Sequence, residues 1–463
     1  MRLNKEQYRA AHHISGPMLV LAGPGSGKTH LLVERIRMMI EERHIPPDNI
    51  LVITFSKKAA RQMQARFEKR VEGRIYPVIF GTFHAVFYHI LRTYDPNINR
   101  LITGEEQKKY VTELIGKSQL FDGDTEADEV IGMISSYKNL SNVFFARCET
   151  AKDMDESQRE DFVKLVGEYE RLCRNAGVID FDDMILLCRQ VFEKHEMFLR
   201  KWQQKYRYFL VDEFQDINEG QYDVLRLLAG DSMNVFAVGD DDQSIYAFRG
   251  SRPELMKRFI RQYRNCAVVN LLINYRCSSN IIGTADTLIR HNTDRIQRPM
   301  QKCRRGAQGG EVVIVHSENT TVQAAFVCDM IDHLKEKHGY GDKDFAVLYR
   351  SAHCAVMFEN IAKQRHMDLS AINLMTVHAS KGLEFTCVFV IGLQEGQFPH
   401  HRSMSDELVS EERRLMYVAM TRARQRLYLC TLGAKNGKPV SRFAKEICER
   451  KKYIADRLQI TRC

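Results

Sequence analysis

Runs of four to six residues, mostly apolar and bounded by polar or turn-forming positions, recur along this chain. They are MLVLA (18–22), ILVITF (50–55), YFLVD (208–212) and VFAVG (235–239), then EVVIVH (311–316), FAVLY (345–349), CVFVIG (387–392) and LYLC (427–430). Continuous apolarity without alternation fits strands buried on both faces, as in parallel sheets. Between the runs the period changes to that of a helix. In KKAARQMQARFEKR, Ala59, Met63 and Phe67 fall on one face. Strands alternating with helices predict α/β layers, and two sets of runs predict two of them. Residues 88 to about 178 break the rhythm. They are helical in pattern, lack strong strand runs, and are acidic around GDTEADE (123–129) and DMDESQRED (153–161). This stretch is expected to be a helical insertion in the first α/β unit. No low-complexity linker and no repeat of solenoid period appears.

Composition adds a few bounds. A chain of 463 residues exceeds one ordinary core, so two or more domains are expected. Its 44% hydrophobic and 27% charged residues are those of a soluble globular protein. No run approaches the roughly 20 apolar residues of a membrane span. The start, MRLNKEQYRAAHH, lacks the apolar segment of a signal peptide, so a cytoplasmic location and no membrane partner are expected. Twelve cysteines without a CxxC pair suggest neither a zinc site nor an iron–sulfur cluster. A net charge of +9 favours a polyanionic partner without specifying one.

Two segments carry chemistry. LAGPGSGKTH (21–30) follows the first strand and precedes a helical pattern. It resembles a Walker A P-loop, with Ala22 where the strict pattern has its first glycine. Gly23, Gly25 and Gly27 let backbone N–H groups close around phosphate oxygens, helped by the N-terminus of the next helix. Lys28 is placed to reach the β- and γ-phosphates, and the Thr29 hydroxyl to ligate Mg²⁺. The second segment, YFLVDEFQD (208–216), is a buried strand ending in two acids. It reads as a Walker B strand, with Asp212 on the Mg²⁺ and Glu213 as the general base for the attacking water.

With these two in place, eight motifs, the second of these segments among them, carry a resemblance over nearly the whole chain. They are LNKEQYRAA (3–11), ITFSKKAARQM (53–63), GTFHAVF (81–87), VDEFQD (211–216), AVGDDDQSIYAFRG (237–250), NYRCSSNI (274–281), MTVHASKGLEF (375–385) and EERRLMYVAMTRAR (411–424). In this order they resemble the superfamily 1 helicases of the UvrD/PcrA/Rep type. The resemblance implies two RecA-like P-loop NTPase domains with a helical 1B insertion in the first. It divides the chain into 1–87 (domain 1A), 88–178 (1B), 179–270 (the rest of 1A) and 271–463 (2A). ATP and Mg²⁺ are implied at the 1A/2A interface. Gln7 is implied to read the adenine edge, Tyr275 to stack on the base, and Glu384, behind the Lys381–Gly382 turn, to contact the ribose. Gln243 is implied to sense the γ-phosphate, and Arg276 and Arg422 to act as arginine fingers. Ala22, Ser26, His30 and Gly382 complete the implied nucleotide contacts. For DNA the resemblance points to Phe55, Thr82, His84, Tyr246, Phe248, Arg249, Thr376, His378 and His400. Aromatic faces of this kind stack on bases without sequence preference.

The chain departs from the family at two places. His30 stands where relatives carry an arginine that packs on the nucleotide base. Only about 100 residues separate Arg276 from Met375, too few for a helical 2B domain beside the strands of 2A. The 2B insertion is therefore expected to be absent or minimal. The implied activity is DNA-stimulated ATP hydrolysis with 3′-to-5′ movement on single-stranded DNA and unwinding at single-strand/double-strand junctions, serving repair or replication. A second expectation is an ATPase subunit that regulates a partner, such as a nuclease in repair or phage defence.

Overall fold

A computed structural model describes residues 2–98, 100–118, 120–121, 125–140, 151, 154–247, 250–304, 309–401, 403, 405–433, 439–449 and 458–462. Along the chain, β1 (Met18–Ala22), β2 (Ile50–Thr54) and β3 (Ile79–Thr82) come first. Two short strands, β4 (Arg100–Leu101) and β5 (Val178–Ile179), pair with each other and bracket the insertion. Then β6 (Tyr208–Val211), β7 (Val235–Gly239) and β8 (Ala267–Leu271) complete a first sheet, ordered β3-β2-β6-β7-β1-β8. A second short pair, β9 (Ile273–Asn274) and β10 (Lys302–Cys303), leads out of this unit. The second sheet uses β11 (Glu311–Ser317), β12 (Phe345–Tyr349), β13 (Asn373–Thr376), β14 (Phe385–Leu393), β15 (Ala423–Leu432) and β16 (Leu458–Arg462). Its order is β13-β12-β14-β15-β11-β16. Every pairing within both sheets is parallel. The architecture is that of two RecA-like domains, as expected.

All eight apolar runs are strands, and all eight are interior to their sheets. Within these two six-stranded sheets the four strands without such a run, β3, β8, β13 and β16, are the edges. An interior parallel strand is covered on both faces, so it must be apolar throughout; an edge strand need not be.

The insertion has a core of its own. Helix Glu156–Asn175 lays Phe162, Leu165, Val166, Tyr169 and Cys173 against Val111 and Leu114 of helix Gly104–Lys117 and Val130, Met133 and Ile134 of helix Ala127–Leu140. Residue 88 lies inside helix Phe83–Tyr94, whose Phe83, Phe87, Ile90 and Leu91 pack on the first sheet. A buried lysine ties the insertion to that sheet. Lys138 Nζ donates to Asp180 Oδ2 at 2.7 Å and to Asp183 Oδ1 at 2.5 Å, at the start of helix Phe181–Lys194. Among the described residues no helix is long and apolar enough to cross a membrane.

Candidate nucleotide cleft and nucleic-acid groove

The functional side chains stand at the carboxyl ends of the parallel strands, where an α/β sheet places its ligands. β1 runs into the P-loop, β2 into Phe55, β3 into Thr82, β6 into Asp212 and Glu213, and β7 into Asp240. The P-loop needs glycine at two points for identifiable reasons. Gly27 adopts φ +83° to turn the chain into helix Lys28–Glu41. A Cβ on Gly25 would lie 2.5 Å from Cβ of Arg276, so this loop is packed directly on the segment after β9. The contact is stitched by Tyr275 N–H donating to Gly25 O (2.8 Å) and Asn274 Nδ2 to Pro24 O (2.7 Å).

Gln7 is buried and its carboxamide is engaged. Its Nε2 donates to Ser26 O at 2.9 Å, and its Oε1 accepts from Asn4 N–H at 3.1 Å. One N–H and one lone pair are left over. Asn4, which caps the same helix, donates through Nδ2 to the Tyr275 hydroxyl at 2.9 Å. The expected base-reading glutamine and base-stacking tyrosine are therefore held by one asparagine. Nε2 of His30 is buried without a hydrogen-bond partner. Ala22, Gly23 and Ser26 are buried in the floor of the loop, and Thr29 follows Lys28 at the helix start.

Acids and cations face one another across the cleft. Lys28 Nζ lies 3.3 Å from Glu213 Oε2. Glu213 sits in the left-handed region at φ 52°, which turns its carboxylate back toward Lys28. Burial pushes the Glu213 carboxyl up, but the charges of Lys28 and Lys381 outweigh it and hold it at about 2. Asp212 is pushed up to about 7 by burial and by Glu213's charge. One residue of the adjacent pair is thus firmly ionised, and the other takes a negative charge readily only when a cation joins it. That is the donor chemistry of a divalent-cation ligand beside a base.

Arg422 is 2% exposed and is bonded only to neutral oxygens, Val418 O (3.0 Å), Leu383 O (3.1 Å) and Thr421 Oγ1 (3.5 Å). Burial, with Arg276's like charge, lowers it to about 9. Arg276 pairs with Glu384 at 2.7 Å. Two neighbouring guanidiniums sharing one carboxylate make a pocket suited to an added anion. Gln243 spends its side-chain amide on Asp240, and its carbonyl accepts from Lys381 Nζ at 2.9 Å. Gly382 adopts φ +87° in the turn beyond Lys381.

A groove of about 740 Å³ leads from this cleft along the junction of the first sheet and the insertion. Its lining includes Phe55, Thr82, His84 and Phe181 together with Asp212, Glu213 and Asp216. Phe55, 38% exposed, stacks on Tyr246 with centroids 4.7 Å apart and planes 14° from parallel. His84, whose pKa burial lowers, meets Phe181 edge-on at 5.5 Å. Phe181 is 58% exposed in this groove and is absent from the sequence-based expectations. Its signal was present in IDFDDM: a phenylalanine just inside an Asp-capped helix start, where the periodicity gives it no core to face. Thr82 is committed as the cap of helix Phe83–Tyr94, accepting from Ala85 N–H. Thr376 Oγ1 accepts from Ala379 N–H, and the His378 ring lies 6.4 Å from that of Tyr246; neither is in the groove's lining. His400 is not in that lining; its ring lies against that of His401 with planes 39° apart, and its backbone N–H donates to Glu412 Oε2. Phe248 and Arg249 lie outside the described residues.

Three buried aspartates, Asp240, Asp241 and Asp242, lie close enough to hold a metal. Arg298 bonds all three and Arg295 bonds Asp242 at 2.7 Å, so arginines occupy the cluster.

Comparison with known proteins gives two domain matches. Residues 3–264 match the UvrD/REP helicase N-terminal domain, and residues 269–369 and 360–433 match the UvrD-like helicase C-terminal domain. The chain is 32% identical over 358 residues to DNA helicase II of Haemophilus influenzae, covering 75% of this chain and 48% of the relative. It is 32% identical over 355 residues to ATP-dependent DNA helicase PcrA of Leuconostoc citreum, covering 75% and 47%. In both, it spans about half the relative's length. A longer alignment with PcrA of Staphylococcus epidermidis is 25% identical over 632 positions and covers 96% of this chain and 86% of the relative.

Proposed function

The chain belongs to the UvrD/REP helicase family, and on that premise we propose that it is an ATP-driven motor acting on DNA in the cytoplasm. It hydrolyses ATP under stimulation by single-stranded DNA, moves along that strand 3′ to 5′, and separates strands at single-strand/double-strand junctions. The observation that carries this reading is the single groove that is lined both by the exposed rings of Phe55 and Phe181, with half-buried His84, and by the acids Asp212, Glu213 and Asp216. A strand bound on those rings lies against the machinery that cleaves the nucleotide.

In this reading the P-loop N–H groups and Lys28 take the β- and γ-phosphates. The phosphates compete with Glu213 for Lys28. The released carboxylate, still held by Gln215 Nε2 at 2.6 Å, then orients and deprotonates the attacking water. Thr29 and Asp212 are the residues to hold Mg²⁺, which when bound neutralises phosphate charge. Arg276 and Arg422 supply positive charge to the γ-phosphate from the second unit, while Glu384 faces the ribose. Tyr275 stacks on the base, Gln7 reads its edge with its remaining donor and acceptor, and His30 borders it. Nucleotide binding draws the two units together and product release parts them. Alternating grip by Phe55, Tyr246, His84, Phe181, Thr376 and His378 then becomes a step along the strand.

We also take the second unit to lack a full 2B insertion. Helices Ser279–Ile289, Thr320–His338 and Val356–Gln364, between Arg276 and Met375, lie against the second sheet. The Staphylococcus epidermidis alignment needs 632 positions against 463 residues here.

The test is steady-state ATP hydrolysis by the isolated chain, with and without single-stranded DNA, across a salt series. Strong stimulation that fades with salt is expected, because phosphate contacts release counterions. A rate indifferent to DNA overturns the reading. Strand displacement by the same preparation separates a self-sufficient helicase from a subunit that regulates a nuclease.

A further inference from the structure

Arg35 is 3% exposed, and among the described residues no carboxylate bonds it. Its Nη1 donates to three backbone carbonyls, Ala10 O (3.3 Å), Ala11 O (3.1 Å) and His13 O. Its guanidinium carbon lies 4.1 Å from the centroid of the Phe236 ring on β7. An apolar side chain would cover that ring without the cost of burying a charge. Packing alone therefore does not ask for an arginine here; the carbonyls do.

Ala10 and Ala11 end helix Lys5–Ala11. The last carbonyls of a helix have no partner within it, and a cation there also meets the negative end of the helix dipole. Seven residues are too few to hold a helix by propensity, so the place of this one is set by what grips its ends. At its start, Gln7 Nε2 donates to Ser26 O of the P-loop and Asn4 Nδ2 to the Tyr275 hydroxyl. At its finish the grip is Arg35.

Arg35 stands on helix Lys28–Glu41, which begins with the phosphate-binding Lys28 and Thr29. From Lys28 to Arg35 is about two turns, roughly 10 Å, of one continuous helix. One rigid element thus carries both the phosphate contacts and the clamp on the base-reading helix. Gln7 keeps one N–H and one lone pair, the pair that matches N7 and N6–H of adenine. Guanine offers two acceptors at the same edge. Reading that difference requires the carboxamide to stand within about 0.5 Å of its working place relative to the bound phosphates.

We propose that Arg35 is a positioning residue for base recognition. By tying the end of helix Lys5–Ala11 to the P-loop helix, it fixes where Gln7 meets the base of a nucleotide whose phosphates Lys28 holds. This rests on the reading of the cleft as an ATP site.

The experiment is calorimetric titration of the chain, without DNA and with Mg²⁺, by the β,γ-imido analogues of ATP and GTP and by tripolyphosphate. The wild-type chain is expected to favour the adenine analogue by about tenfold or more, the worth of one to two hydrogen bonds. Arg35→Lys keeps the charge but is shorter and lacks the planar fork. Its preference is expected to fall below about threefold, by loss of adenine affinity. Tripolyphosphate has no base, and its Kd is expected to stay within about twofold of wild type. Gln7→Ala should lose the preference too, and adding Arg35→Lys to it should change nothing further, because the arginine acts through that side chain. A wild-type chain that binds both analogues equally, or Arg35→Lys with its preference intact, overturns the proposal. So does an equal loss of all three ligands, which marks a merely structural arginine, or a further loss of preference in the Gln7→Ala background. Turnover measured alongside keeps the two readings apart. A preference that depends on Arg35, in a chain whose hydrolysis is indifferent to single-stranded DNA, sinks the motor and leaves this assignment standing.

Discussion

Two buried seams in this molecule use the same ingredients and leave them in different states. At the seam between insertion and first sheet, Lys138 is shared by Asp180 and Asp183, Tyr169 OH donates to Asp180 (3.1 Å), and Gln107 Nε2 donates to Tyr169 OH (2.9 Å). The charges are paired and the hydroxyl is used in both directions. In the cleft, Lys28 leans on Glu213 at 3.3 Å, Asp216 keeps an orphan oxygen, Arg422 makes no direct ion pair among the described residues, and His30 Nε2 is unpartnered. A closed polar network fixes one arrangement; a network left short of partners holds places for something that arrives later. The contrast separates groups that hold the fold from groups that await a ligand.

The largest effect that tests this contrast is in the cleft. Arg422→Met removes a buried charge that no carboxylate bonds directly and is expected to cut DNA-stimulated turnover by about 10³-fold or more, the scale of a lost arginine finger. Its unfolding midpoint in urea is expected to move by less than about 1 kcal/mol equivalent, since replacing a buried ion by an apolar side chain of similar volume is close to neutral. A severely destabilised Arg422→Met would mean that the guanidinium is structural and that the cleft is not the unfinished seam. At the other seam the balance reverses. Lys138→Met leaves two buried aspartates facing each other, and a loss of about 3–5 kcal/mol in urea unfolding is expected. Basal ATP turnover of the fraction still folded should hold, because none of the three residues lines the P-loop.

Between these extremes stands Phe181, which belongs to both seams. Its helix begins at the Asp180 cap that Lys138 secures, and its ring faces the groove beside His84. Phe181→Ala is expected to weaken single-stranded DNA binding by about 1–3 kcal/mol, roughly five- to 150-fold, without changing the salt slope, because a stacking face is lost and no phosphate contact is. Titration of a labelled oligonucleotide at several salt concentrations checks both parts. Unchanged affinity would leave Phe181 as an exposed ring without a task.

How far the sequence carried follows from the same physics. Strands buried on both faces announce themselves, which is why β1, β2, β6, β7, β11, β12, β14 and β15 were legible and the four edges were not. Chemistry that depends on spacing within one segment was legible too, as in Gly25 through Thr29 or Asp212 beside Glu213. Pairings across hundreds of residues were not. Nothing in LNKEQ says that Asn4 grips Tyr275, and nothing near Lys138 names Asp180. The Lys381–Asp216 bridge joins segments 165 residues apart. Such contacts belong to the packing of finished units, and no local pattern encodes them.

The smallest expected effect tests the closed seam by pH. Burial, with the charge of Asp180, pushes Asp183 up to about 6 against the pull of Lys138, from an ordinary 3.8. Between roughly pH 4 and 6 the folded chain therefore keeps a proton that the unfolded chain releases, and stability falls as pH rises through that window. Lys138, whose own value is raised, is charged throughout and adds no slope there. Glu213, held at about 2, loses its stabilising contribution only as pH drops below about 4.5. Asparagine at 183 can still accept the Asp180 N–H but has no proton to exchange. Asp183→Asn should therefore flatten the wild-type decline between pH 4.5 and 7 by about 1–2 kcal/mol, read from urea midpoints at the two pH values. Asp216, at about 6, and Asp212, at about 7, produce declines of the same sign from the cleft. The two seams separate when an ATP analogue and Mg²⁺ are added. The cation holds Asp212 ionised and alters the cleft's share of the slope, whereas the difference between wild type and Asp183→Asn should stay as it was. If that difference changes with nucleotide, the insertion seam is coupled to the cleft and the line drawn between a finished network and a waiting one is in the wrong place.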